Sequence, residues 1–203
     1  MRAASVFLAL PLTAALLAGG LPPGSAYGAT PSSACGSVPV RHRPDVGARS
    51  WLTGIAVTSP GNAWAVGQNV TAGGYDGLDY GLIEHWNGRG WAEVPSPNGN
   101  VGAWNGNVLS AVAATSAGSA WAVGSIRDLF DHTVTSYTLA EHWDGHRWAR
   151  VPSPSPSHGY GGQSALTSVA STSRSDAWSM GQTIPRDGLG PPATLAEHWD
   201  GHS

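Results

Sequence analysis

One stretch of sixteen residues recurs three times without a gap: LTGIAVTSPGNAWAVG from Leu52 to Gly67, LSAVAATSAGSAWAVG from Leu109 to Gly124, and LTSVASTSRSDAWSMG from Leu166 to Gly181. The offset is 57 residues each time. Downstream, Glu-His-Trp recurs at Glu84, Glu141 and Glu197, and WAEVPSP (Trp91 to Pro97) is matched by WARVPSP (Trp148 to Pro154). Eight of the ten tryptophans fall on repeated positions. A period of this kind means one supersecondary unit built several times. Such a unit buries its apolar faces only by stacking on its neighbours.

Each unit reads as four short strands. The first, for example Leu109 to Thr115, is rich in Val and Ala and ends in a turn of Ser, Gly, Pro, Asn or Asp. In the second, AWAVG, Trp121 and Val123 share one face, and Ala120, Ala122 and Gly124 share the other. A variable stretch separates it from the third strand, TLAEHWD, where Leu139, Glu141 and Trp143 alternate with Ala140, His142 and Asp144. The fourth is WARVP, and the PSP that ends it cannot extend a central ladder because proline lacks the amide donor. Four strands with apolar residues on both faces need a sheet on either side, large residues against small. Radial repetition of four-stranded antiparallel sheets, the β-propeller, meets that need. The expected fold is therefore all-β, a partial propeller of about three blades. A β-sandwich, a β-helix or another all-β repeat is the alternative.

The residues also resemble the kelch type of propeller repeat, in which a strand ending in a glycine pair precedes a spaced aromatic and a late tryptophan. By that resemblance Gly67, Gly124 and Gly181 correspond to the second glycine, and Trp91 and Trp148 to the late tryptophan. The chain departs from the family in carrying Val66, Val123 and Met180 at the first glycine, and its period exceeds the roughly 50 residues of kelch. The resemblance covers residues 51–203, in units 51–107, 108–164 and an incomplete 165–203. Ser37 to Val40 (SVPV) lies where a fourth strand belongs, so residues 30–50 are expected to hold a blade-closing strand.

Residues 1–29 read as a signal peptide: Arg2, then an apolar run interrupted by Pro11 and the Gly19-Gly20 pair, then small residues around Ala26 to Ala29. The mature chain is expected to be secreted, with no membrane span. Ser32-Ser33-Ala34 before Cys35 lack the leucine of a lipidation signal, so lipoprotein anchoring is not expected. A lone cysteine makes no internal disulfide. The net charge of −3 carries no basic block, and nucleic acid is not an expected partner.

His85, His142 and His198 invite a metal reading. Identical residues in identical places usually serve the repeat, so they are expected to be structural. The same expectation covers Trp64, Trp86, Trp121, Trp143, Trp178 and Trp199, with the three Glu-His-Trp glutamates. Function is expected where the repeats differ, in segments 68–81, 98–107, 125–137 and 182–193. There the non-repeated Trp51, Tyr75, Tyr80, Trp104 and Phe130 are candidate contacts for a sugar ring or a protein. Asp76 with Asp79, and Asp128 with Asp131, suggest calcium, but their positions do not align across units, and no cofactor is expected. Nucleophile and phosphate-binding signatures are absent from the sequence, and no catalytic residue is assigned.

These features lead to an exported, non-catalytic binding module for an extracellular protein or a cell-surface glycan. The alternative is a propeller-based secreted enzyme of the oxidase, glycosidase or lyase type whose catalytic residues lie partly in missing blades. TLAEHWDGHS stops short of the tryptophan that follows both earlier copies. The expectation is a cut inside a unit, with Trp near position 204 and further copies beyond.

Overall fold

The computed structural model describes residues 49–70, 79–98, 105–130, 132–157, 159, 161–186 and 190–202. The expected signal peptide, Cys35 and the SVPV segment lie outside them. Eleven strands make up the described chain: β1 (Arg49–Ser59), β2 (Asn62–Val70), β3 (Asp79–Trp86), β4 (Trp91–Glu93), β5 (Asn105–Ser116), β6 (Ser119–Phe130), β7 (Thr133–Trp143), β8 (Trp148–Val151), β9 (Gln163–Ser173), β10 (Asp176–Ile184) and β11 (Ala193–Trp199). The fold is all-β, and the sequence repeat is also the structural repeat. β1–β4 form one antiparallel meander, β5–β8 a second, and β9–β11 a third. The second and third touch edgewise through a single parallel bridge, Ser136 to Gln163.

The glycine ending each AWAVG-like strand has a specific steric cause. β1, β5 and β9 each bulge beside it, at the steps Leu52/Gly54, Leu109/Ala111 and Leu166/Ser168. A bulge pushes extra backbone toward the partner strand. A Cβ on Gly67 would meet the Trp51 carbonyl oxygen at 2.0 Å, one on Gly124 the Val108 carbonyl at 1.9 Å, and one on Gly181 the Ala165 carbonyl at 1.9 Å. Only glycine fits. The Asn-Gly or Asp-Gly pair after each Glu-His-Trp has a different cause: Gly88, Gly145 and Gly201 adopt φ of 87°, 99° and 93°. Asn87 Oδ1 accepts from the Arg89 and Gly90 amides, and Asp144 Oδ1 accepts from the His146 and Arg147 amides, closing the turn.

The core lies between successive sheets. Trp64, Val66 and Ile83 of the first pack on Leu109, Val112, Ala120, Ala122, Leu139 and Trp148 of the second. Val123 and Ala140 of the second pack on Leu166, with Val169 and Leu195 alongside. The alternation therefore sends Trp121 and Val123 one way and Ala120 and Ala122 the other, as the strand period requires.

The mid-unit stretch of the second repeat departs from expectation. Residues 125–130 and 133–137, within the stretch expected as a variable loop, form the far end of a long hairpin in which Ser125 pairs with Thr138 and Phe130 with Thr133. Ile126, Leu129, Val134 and Tyr137 supply enough strand-favouring side chains to carry the ladder outward. In the first and third repeats the strands likewise reach Val70 and Ile184 before the chain leaves the ladder.

Gly124→Ala is expected to lower the unfolding free energy on the order of 3 kcal/mol, because backbone must move to admit the methyl group. Gly118→Ala, where the nearest atom to an added Cβ is the Ser116 hydroxyl at 3.9 Å, is the control, expected to change stability by under about 1 kcal/mol. Urea unfolding of both variants measures the difference.

Candidate functional site

The two ends of the meanders differ in character. At one end lie the short turns before β2, β6 and β10 and the Asx turns after β3, β7 and β11, which repeat closely. Trp86 Nε1 donates to the Pro60 carbonyl at 3.0 Å, and Trp143 Nε1 donates to the Ala117 carbonyl at 3.0 Å. At the other end β1, β5 and β9 begin, β2, β6 and β10 end, and β3, β7 and β11 begin. The connections from β2 to β3, β6 to β7 and β10 to β11 differ in length and composition.

Trp51, Tyr80 and Phe130 belong to the variable end. Trp51 is 44% exposed. It lies opposite Gln68 in the register, while Tyr80 lies opposite Asn69, so the two rings project from opposite faces of the first sheet. They do not make one stacking platform. Phe130 closes β6 opposite Thr133. Tyr75 and Trp104 lie outside the described residues. Charge at this end joins the first two repeats: Arg127 reaches Asp79 at 3.6 Å, and Gln68 Nε2 donates to Asp79 Oδ1 at 3.4 Å. Burial raises the Asp79 pKa, and the Arg127 guanidinium partly offsets it. Asp128 stands in β6 opposite Thr135. Among the described residues no three His, Cys, Asp or Glu side chains converge on a metal-sized site; Asp76 and Asp131 lie outside them.

The Glu-His-Trp histidines stay within their own sheets. Each ring lies against the tryptophan of the neighbouring strand, with centroids 4.3 Å apart for Trp64–His85, 4.6 Å for Trp121–His142 and 4.2 Å for Trp178–His198. Each Nε2 meets a polar group at the start of the second strand: Asn62 Oδ1 at 2.7 Å, Ser119 Oγ at 3.3 Å and Asp176 Oδ1 at 2.8 Å. Burial lowers the pKa of His85 and of His142, favouring neutral imidazole. Asp176 also accepts from the Thr172 hydroxyl, and that bond and the one from His198 hold its pKa below the usual carboxylate range.

The glutamates join one repeat to the next, which the spacing alone did not reveal. Ser96, from the VPSP segment of the first repeat, donates to Glu141 Oε2 of the second at 3.2 Å. Ser153, its counterpart, donates to Glu197 Oε2 of the third at 2.7 Å. Glu141 is fully buried, and that desolvation raises its pKa to about 7 despite the Ser96 hydrogen bond and the Arg150 charge. The sequence signal is the co-occurrence of VPSP serine and Glu-His-Trp glutamate. It becomes readable only once the sheets are known to stack in chain order.

A cavity of about 400 Å³ opens between the second and third sheets, lined by Trp121, Val123, Val151, Pro154, Leu195 and Trp199 among others. Between the first and second sheets Trp148 occupies the comparable space, edge-on to Trp64 at 5.2 Å. The third repeat has no counterpart of β8 among the described residues. The lining suits an apolar or planar group. Ser179, Glu197 and His198 are its hydrogen-bonding side chains; Glu197 accepts from Ser153, and His198 Nε2 meets Asp176.

Glu141 keeps its proton in the folded chain up to about pH 7, whereas the unfolded chain releases it near the ordinary value of 4.5. Its contribution therefore makes stability fall as pH rises between those values and level off above them. His85 and His142, with lowered pKa values, contribute the opposite slope just below 6.5. Glu141→Gln is expected to reduce the loss of unfolding free energy between pH 5 and pH 8 by on the order of 2 kcal/mol, measured by chemical denaturation. An unchanged slope contradicts it. Comparisons of the chain with protein-family models and with curated proteins found no match to either.

Proposed function

We propose that the chain is an exported β-propeller of kelch-like repeats that serves as a non-catalytic binding module, its ligand an extracellular protein or a cell-surface glycan. The export signal is read from residues 1–29, and the propeller from repeated four-strand units that mate face to face. One observation carries the binding role. The repeating histidines brace their own sheets and the repeating glutamates and VPSP serines join one sheet to the next, while the differences between repeats gather at one end. A rigid repeated frame with a variable end is the arrangement of a scaffold that presents recognition loops. Trp51, partly exposed at that end, is the described aromatic best placed to contact a ligand, and Tyr80 contributes separately from the other face.

The test is a glycan array together with a pull-down on cell-wall material, using the purified chain. Specific retention on one of them is expected, with Trp51→Ala weakening it about tenfold. Blank results on both overturn the reading.

A further inference from the structure

The turn after each Glu-His-Trp is closely repeated, yet the first repeat carries a different functional group in it. Asn87-Gly88 stands where the second and third repeats have Asp144-Gly145 and Asp200-Gly201. The three turns are built alike. Asn87 Oδ1 accepts from the Arg89 and Gly90 amides at 3.0 and 3.1 Å, and Asp144 Oδ1 accepts from the His146 and Arg147 amides at 2.8 and 2.9 Å. Asp200 Oδ1 accepts from the His202 amide at 2.9 Å. All three glycines adopt positive φ. One geometry therefore holds a carboxamide once and a carboxylate twice.

That exchange changes the chemistry of the turn. A carboxamide carbon is an electrophile toward the backbone nitrogen of the following residue, and glycine there puts no side chain in the path of ring closure. Asn87, Gly88 and Arg89 are all exposed, so water reaches the group. The Arg89 and Gly90 amides fold the side chain back over the turn. They also sit on the carbonyl oxygen that gains negative charge as nitrogen adds, which is the arrangement of an oxyanion hole. The remaining backbone bond of the turn runs from the Asn87 amide to the Gly90 carbonyl at 3.3 Å, so the turn leaves the Gly88 amide out of its hydrogen bonds. Asp144 does not share this reactivity. The Arg147 and His146 amides hold its pKa below the usual carboxylate range, and a carboxylate is a poor electrophile.

The two other Asn-Gly pairs among residues 49–203 are held differently. Asn98 turns its side chain to Gly81, accepting from that amide at 2.7 Å and donating to that carbonyl at 3.2 Å. Asn105 lies in β5 opposite Asp128, and ring closure requires the backbone to leave the extended conformation.

We infer that Asn87 is a site of spontaneous deamidation, which converts the turn of the first repeat into the aspartate turn of the other two. The Gly88 nitrogen loses its proton to solvent and bonds to Asn87 Cγ, and the side-chain nitrogen leaves as ammonia. Water then opens the succinimide. Breaking the bond to Cγ gives aspartate, and breaking the bond to the main-chain carbonyl carbon gives isoaspartate. One water is consumed and one ammonia released. Aspartate fits, because Asp144 already occupies the equivalent place with the equivalent amide bond, Asp144 to Arg147 at 3.2 Å. Isoaspartate lengthens the main chain by one carbon and pulls the Asn87 amide out of register with Gly90.

Mass spectrometry of tryptic peptides tests this on the full chain incubated at mildly alkaline pH. Cleavage at arginine puts Asn87 in the peptide Ser50–Arg89 and both other pairs in Gly90–Arg127. In the folded chain Asn87 is expected to convert at least about tenfold faster than Asn98 or Asn105, and in concentrated urea the three are expected to convert at similar rates. Asn87→Asp is expected to unfold at the same urea concentration as the parent. Conversion of Asn87 no faster than that of Asn98 and Asn105 in the folded chain overturns the inference. So does an Asn87→Asp variant that unfolds at clearly lower urea, since the turn would then reject the product.

Discussion

An indole ring wedged between two β-sheets is the interaction on which the rest of this structure depends. Trp64 and Trp121 stand on the trailing faces of their sheets, those turned to the next repeat, and are almost wholly buried by the next sheet. Each ring removes roughly 150–250 Å² from water, a gain of about 4–6 kcal/mol. Each also buries its Nε1 without a hydrogen-bond partner, which costs about 1–3 kcal/mol. The apolar term wins. For Trp64 the receiving strand offers Ala120 and Ala122, so that the large ring meets small side chains.

The repeated glycines have a separate cause within each sheet: the bulged first strand brings a backbone carbonyl against Gly67, Gly124 and Gly181, where a Cβ has no room. Histidine fills the place beside each tryptophan on its own sheet, polar edge anchored at the start of the second strand and apolar face against the indole. Serine and glutamate then tie each sheet to the next through a part-buried hydrogen bond. On the third sheet, whose trailing face meets no further sheet among the described residues, Trp178 stacks nearly flat on His198, at 15°, instead of tilting at 33° or 42°.

Much of this was legible in the sequence because the repeat supplied its own control. Strand identity, the split of Trp121 and Val123 from Ala120 and Ala122, and the all-β class follow from period-two alternation recurring at a fixed offset. The extent of the β6–β7 hairpin was not legible, since Ser125 to Tyr137 differs from its counterparts and strand propensity was outweighed by that variability. The bulges were hidden too. A single extra residue leaves no mark in the sequence except the glycine it forces opposite. The candidate site was less legible than the fold. Five aromatics were singled out for not repeating, but which face each occupies depends on register, and register places Trp51 and Tyr80 back to back.

The central claim is that the repeated tryptophan stabilises the chain through the neighbouring sheet rather than through its own. The direct measurement is the unfolding free energy of Trp121→Ala set beside Trp178→Ala. The two residues hold the same position in the repeat and each lies against its own histidine, and they differ in whether another described sheet covers them. A loss of about 3–5 kcal/mol for Trp121→Ala and about 1 kcal/mol or less for Trp178→Ala is the predicted result. Equal losses would contradict the account.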